Sequence, residues 1–219
     1  MKTLSTFVVL SLYLVPAFSQ SPRPLQEKVL LQNEYVAVTQ VTLKPGEKSP
    51  ERTSGNRLIY SLTAYTLTYR WDSRTAIEKR KTGDFHVHPS GAHAEENAGK
   101  TTASFLVAER TSVPLPPVEV TGVDMAKASP FNTTVRFDRE LAKVFEVTLP
   151  PKDAVAMHFG LNRVVYALTP FELTVTTPDG KTVTEKGKKG SLSWHPAGIH
   201  AVENRSSSTI RFLVFGFKR

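Results

Sequence analysis

The chain repeats itself. Residues 83–97, GDFHVHPSGAHAEEN, return as residues 190–204, GSLSWHPAGIHAVEN. Gly83, Pro89, Gly91, His93, Ala94, Glu96 and Asn97 recur as Gly190, Pro196, Gly198, His200, Ala201, Glu203 and Asn204, a shift of 107 at every position. Residues 28–68 align with 134–174 at a shift of 106. There Val41-Thr42-Leu43 matches Val147-Thr148-Leu149, Asn56-Arg57 matches Asn162-Arg163, and Tyr60 matches Tyr166. One extra residue in the intervening hairpin accounts for the change of shift. A duplication covering nearly the whole chain requires one fold that closes twice.

Each copy reads as short strands. Tyr35 to Leu43 alternates and is rich in β-branched residues, as are Leu58 to Thr68 and Val164 to Thr176. Pro45-Gly46, Pro178-Asp179-Gly180 and Pro196-Ala197-Gly198 mark turns between them. Thr209 to Phe217 closes the second copy, with Ser104 to Ala108 as its counterpart. Many short strands divided by turns, with little helical periodicity, predict an all-β chain of sandwiches or barrels. The boundaries expected are a first barrel over 24–113, a Pro-rich linker over 114–133 and a second barrel over 134–219. Pro114, Pro116, Pro117 and Pro130 keep the linker extended.

The first 19 residues read as a cleavable signal peptide: Lys2, an apolar run from Phe7 to Phe18, then Ala17-Phe18-Ser19 as the cleavage signal. A secreted or periplasmic protein is expected, with no membrane anchor. The sequence contains no cysteine, so thiolate chemistry and disulfides are excluded and the fold rests on burial alone. The net charge is +8, yet the basic residues are dispersed apart from Lys79-Arg80-Lys81 and Lys186/Lys188/Lys189, two matching hairpin turns. No aromatic residues interleave with them, which argues against single-stranded nucleic acid as a partner. No Gly-rich phosphate loop, serine-nucleophile motif or paired-carboxylate signature is present.

The phrase Gly-x5-Pro-x-Gly-x-His-x3-Asn, present twice, resembles the second motif of the cupin superfamily, one residue short of its usual form. The strands ending in Leu58-Ile59-Tyr60-Ser61-Leu62 and Val164-Val165-Tyr166-Ala167-Leu168 resemble the strand that closes cupin motif one. The resemblance spans residues 28–110 and 134–219. It implies a tandem bicupin of two antiparallel jelly-roll barrels, and the superfamily includes enzymes, binding proteins and storage proteins.

Metal-dependent cupins hold a divalent ion with two histidines and a glutamate of motif one and a histidine of motif two. By that resemblance the motif-two histidines are His93 and His200. The glutamate slot falls on Arg57 and Arg163, and only His158 is a histidine in either His-x-His slot. A guanidinium in a ligand slot repels a cation and cannot deprotonate. The expectation is therefore no metal, with Arg57, His93, Arg163 and His200 lining the barrels as ligand-binding residues. The expected partner is a small molecule, an anion among the candidates; a structural role and a homo-oligomer stay open.

The alternative is a dioxygenase- or isomerase-type enzyme using one Mn, Fe, Ni or Zn on a small acid or sugar. It draws on His86, His88, His93, His158 and His200. His86 and His88 are two apart on a strand, so they share a face and could converge with His93. Each buried arginine needs an acid or an anionic ligand. Glu96 and Glu203, three residues past each motif histidine, are the expected internal partners.

Overall fold

A computed structural model of the chain describes residues 26–71, 73–117 and 119–218. The expected signal peptide, residues 1–19, lies outside the described residues. The first copy contains β1 (Gln26–Gln32), β2 (Val36–Leu43), β3 (Arg52–Ser54), β4 (Arg57–Ser61), β5 (Tyr65–Trp71), β6 (Arg74–Arg80), β7 (Phe85–His88), β8 (Gly91–Asn97) and β9 (Ala103–Arg110). One short helix, α1 (Met125–Ala128), follows. The second copy contains β10 (Thr133–Asp138), β11 (Ala142–Leu149), β12 (Ala154–Gly160), β13 (Arg163–Ala167), β14 (Phe171–Thr176), β15 (Thr182–Gly187), β16 (Leu192–His195), β17 (Gly198–Asn204) and β18 (Ile210–Phe217).

The duplication holds strand for strand. One barrel has sheets ordered β1-β2-β9-β4-β7 and β3-β8-β5-β6; the other has β10-β11-β18-β13-β16 and β12-β17-β14-β15. Every strand of the first copy has its counterpart nine strands later. Alternation assigns the faces. Along β4, Leu58 and Tyr60 point outward into a core shared by the two barrels, while Ile59 points into the first barrel.

That shared core contains thirteen buried residues, including Val36, Leu106 and Ala108 from one copy and Val164, Leu213 and Phe215 from the other. A large apolar side chain contributes about 1.5–3 kcal/mol on full burial. Exposing even four or five of these side chains would cost about 6–15 kcal/mol, the scale of a typical domain's net stability. Trp194 belongs to this seam, stacked on Tyr35 with ring centroids 5.7 Å apart.

Two repeated asparagines fix each barrel's turns. Asn97 Nδ2 donates to the Leu43 and Thr101 carbonyls at 2.8 Å, and Asn204 Nδ2 donates likewise to Leu149 and Ser208. Asn56 Oδ1 accepts from Ser90 N–H and Asn162 Oδ1 from Ala197 N–H, both at 3.0 Å. This second pair ties the turn before each motif histidine to the residue preceding each arginine.

The Pro-rich segment between the copies is fastened to the second barrel. Phe159 N–H donates to Val123 O at 2.8 Å, and Ala156 N–H to Ser129 Oγ at 2.8 Å. Asp124 caps α1 by accepting from Ala126 N–H and pairs with Lys143 at 2.7 Å. Met125 is buried in that barrel's apolar core. Among the described residues no helix is long and apolar enough to cross a membrane.

Candidate functional site

Arg57 and Arg163 begin equivalent strands, β4 and β13, and both turn into their barrels. They are 1% and 7% exposed, so each guanidinium must be satisfied from within. Their surroundings differ by one substitution. On β8, alternation puts His93, Glu95 and Asn97 on the interior face; on β17 it puts His200, Val202 and Asn204 there. The first barrel has an acid where the second has a valine.

In the first barrel Arg57 Nη2 lies 3.7 Å from Glu95 Oε1, against His93 Nε2, and 3.2 Å from His88 Nδ1. Nε2 of His93 is 3.2 Å from the same Glu95 oxygen. Burial pushes the Glu95 carboxyl up, but the His93 hydrogen bond and the Arg57 charge outweigh it and hold it below the ordinary carboxylate range. Tyr69, Trp71 and the rings of His88 and His93 stack over the cluster. Arg57 and Glu95 are a neutralised pair sealed from solvent.

The expected pairs Arg57–Glu96 and Arg163–Glu203 do not form. Residues three apart on a strand face opposite sides, so Glu96 and Glu203 point away from their histidines' face. Glu96 meets Arg70 at 2.5 Å and Lys48 at 3.4 Å, and Glu203 meets Arg205 at 3.0 Å. Glu95, two residues past His93, is the interior acid.

In the second barrel Arg163 forms no ion pair among the described residues. Nη1 donates to the carbonyls of Leu161 at 3.2 Å and Pro196 at 2.9 Å, and Nη2 donates to His200 Nε2 at 3.1 Å. Three of five N–H groups are thus used, leaving Nε–H and one Nη2–H without protein partners among the described residues. Those two donors are of the kind that grips a carboxylate bidentately. Burial pushes the Arg163 pKa down to about 10, so it remains cationic at neutral pH.

His200 accepts from Arg163 and is held at about pKa 3 by burial, then by the neighbouring Arg163 and His158. It orients the guanidinium. His158 packs beside it with ring centroids 4.3 Å apart.

Gly160 was not readable from any motif, yet it makes room for this pair. A Cβ there would lie 2.7 Å from Arg163 Nη1 and 2.8 Å from His200 Cε1, closer than any side chain permits. Glu185, facing the same interior from β15, sits opposite Leu173 as Glu78 sits opposite Leu67 in the first copy. That acid recurs at the shift of 107, so the repeat itself contained the signal. Burial pushes the Glu185 carboxyl up while Arg163 opposes the shift, and no ion pair links the two.

Among the described residues no group of three or more His, Asp or Glu side chains is placed to hold an ion. His86 and His88 do face inward together, as alternation requires. The Arg57 guanidinium, however, lies against both His88 and His93, and Arg163 occupies the equivalent place beside His200. His86 is set apart from His93, 4.0 Å from Glu78.

The space in the second barrel divides at Arg163. The interior pocket, lined by Val165, Leu173, Val175, Ser193, His195 and Val202 among others, has a volume of about 40 Å³. On the other side, beneath residues 120–127, lies a cavity of about 270 Å³. Arg163, Met125 and Val214 line both.

No protein-family model matches the sequence, and no curated protein does. The fold, in contrast, is well represented among solved structures. AerE from Microcystis aeruginosa aligns with a TM-score of 0.65 at 12% identity, over 92% of this chain and 96% of that one. Oxalate decarboxylase from Bacillus subtilis aligns with a TM-score of 0.64 at 17% identity, over 89% of this chain and 72% of that one. Another structure of the same enzyme, described through its Mn(II) centres, aligns at 0.61 and 16% identity. At these identities the likeness speaks for the fold alone, and the strand orders agree with it: the chain has the tandem bicupin fold, two cupin-type barrels in series.

Proposed function

We propose that this chain is an exported bicupin whose second barrel binds a small anionic molecule, without a metal, while the first barrel is structural. One observation carries the reading: Arg163 is buried, cationic and, among the described residues, without an acid in ion-pair range, because Val202 stands where the first barrel has Glu95. A buried guanidinium with two spare donors beside a cavity is a receptor for a carboxylate or phosphate. Export rests on the expected signal peptide.

The test is a thermal-shift screen of small organic acids against the wild type and Arg163→Met. A ligand at a hundred times its Kd adds about 2.7 kcal/mol of apparent stability, a shift of several degrees. At least one acid should stabilise the wild type and leave a folded Arg163→Met unmoved. A wild type that responds to no anion would sink the proposal.

The second reading, a metal-dependent enzyme on a small acid or sugar, has one observation in its favour. His88 Nε2 and both ring nitrogens of His86 have no hydrogen-bond partner among the described residues. Elemental analysis of protein purified without chelator separates the two. We expect well under one Mn, Fe, Ni or Zn per chain. A stoichiometric ion lost on His86→Ala or His200→Ala would establish the metal site instead.

A further inference from the structure

The cavity beneath residues 120–127 defines the ligand more narrowly. We propose that it receives the apolar body of a monocarboxylate whose head is held by Arg163, so that the ligand class is a short amphiphilic acid. This rests on Arg163 being the anion site proposed above.

Three observations converge. First, the interior pocket beyond Arg163 measures about 40 Å³, room for a water but not for a ligand's body. A carboxylate seated on Arg163 can extend only toward the larger cavity. Second, that cavity measures about 270 Å³. At about 30 Å³ per water-sized unit it accommodates on the order of ten non-hydrogen atoms. Third, its walls are apolar: Met125, Phe145, Phe159 and Val214 are buried, with Val120 and Val123 at the mouth. Its polar side chains are few. Arg163 is the buried cation, Lys127 lies at the rim, and Asp124 is neutralised by Lys143 and used as the cap of α1. A second charge on the ligand, as in a short dicarboxylate, would be driven against phenylalanines and a methionine.

The segment that roofs this space is held from Val123 onward. Val123 O accepts from Phe159 N–H at 2.8 Å, and α1 is anchored by Met125 and Ser129. Residues 120–122, with Gly122 at φ +101°, present exposed side chains or none. A ligand's tail can therefore enter under the roof without unseating Met125.

The experiment is calorimetric titration of the whole protein with acetate, butyrate, hexanoate and octanoate, alongside oxalate and hexan-1-ol. Each buried methylene should tighten binding roughly three- to four-fold, levelling off once the cavity is filled. Val123→Trp, at a half-exposed position on the mouth, should abolish the gain from acetate to hexanoate. Val120→Trp repeats the test on a more exposed residue should the first variant not fold.

Acetate binding as tightly as hexanoate, or oxalate surpassing both, overturns this inference and leaves the anion site standing. Hexan-1-ol equal to hexanoate overturns it too, since the head would not matter. An unchanged chain-length dependence in both tryptophan variants places the body elsewhere and overturns it. No carboxylate binding at all removes the anion site and this inference together.

Discussion

Replacing Glu95 with valine, the residue the second barrel has at that position, is expected to destabilise the protein by about 3–5 kcal/mol, because Arg57 is left as an unpaired buried charge. For a chain of this size that lowers the Tm by roughly 10 °C or more. Among the described residues no other acid lies within ion-pair distance of Arg57: Glu109, its cross-strand neighbour, accepts from the Gly55 N–H, and Glu96 is on the outer face with Arg70 and Lys48. The loss should largely disappear in Arg57→Met/Glu95→Val, where two apolar groups replace the pair.

The effect should also depend on pH. The Glu95 carboxyl is held below its unfolded value, so its stabilisation is present above the ordinary carboxylate range and fades as pH falls through the folded value. The gap between wild type and Glu95→Val should narrow in acid. Both proteins should weaken below about pH 6.5. Burial depresses His86 and His200 to about 3 and His88 and His195 to about 4, so the unfolded chain takes up those protons first. A thermal melt series from pH 7 to pH 4 measures both trends. Equal stability of Glu95→Val and wild type at pH 7 would show that Arg57 does not depend on this acid.

The same valine is tolerated in the second barrel because Arg163 is placed differently. Its guanidinium reaches the carbonyls of Leu161 and Pro196 over the bare backbone of Gly160, and on its open side the residue lines a cavity instead of meeting a sealed stack of rings. Arg57 has Tyr69, Trp71 and two imidazoles in that direction. The duplication has thus diverged into one closed polar core and one barrel whose arginine lines a cavity, while the strand order stayed the same.

The fold was readable because the repeat is long and its turns carry Gly, Pro and Asn at fixed offsets. Gly83 and Gly190 take the same turn conformation, at φ +87° and +85°, and Asn97 and Asn204 hold equivalent carbonyls. The inward arginines were readable through the motif they interrupt. The first copy's acid was misplaced by one residue, Glu96 for Glu95, and in the second copy that interior position holds Val202; in a strand one residue is the difference between core and solvent. The cavity was not readable at all. It exists because the prolines of 114–130 lead the chain across β12, where Val123 and Phe159 meet, and nothing local in those residues specifies that contact. Gly160 carries no motif either; its role appears only once Arg163 and His200 are packed against it.

The account turns on Val202. Glutamate at that position stands in the register of Glu95 on β17 and should pair with Arg163 as Glu95 pairs with Arg57. Val202→Glu should therefore fold, since the new acid has a buried cation waiting, and it should occupy the donors that a ligand carboxylate needs. Calorimetric titration of hexanoate into wild type and Val202→Glu measures this directly. We predict saturable binding to the wild type and an affinity at least about tenfold weaker in a folded Val202→Glu, a loss of about 1.4 kcal/mol or more. Equal affinity in the two proteins would contradict the claim that the second barrel is a binding site because its arginine lacks an internal acid.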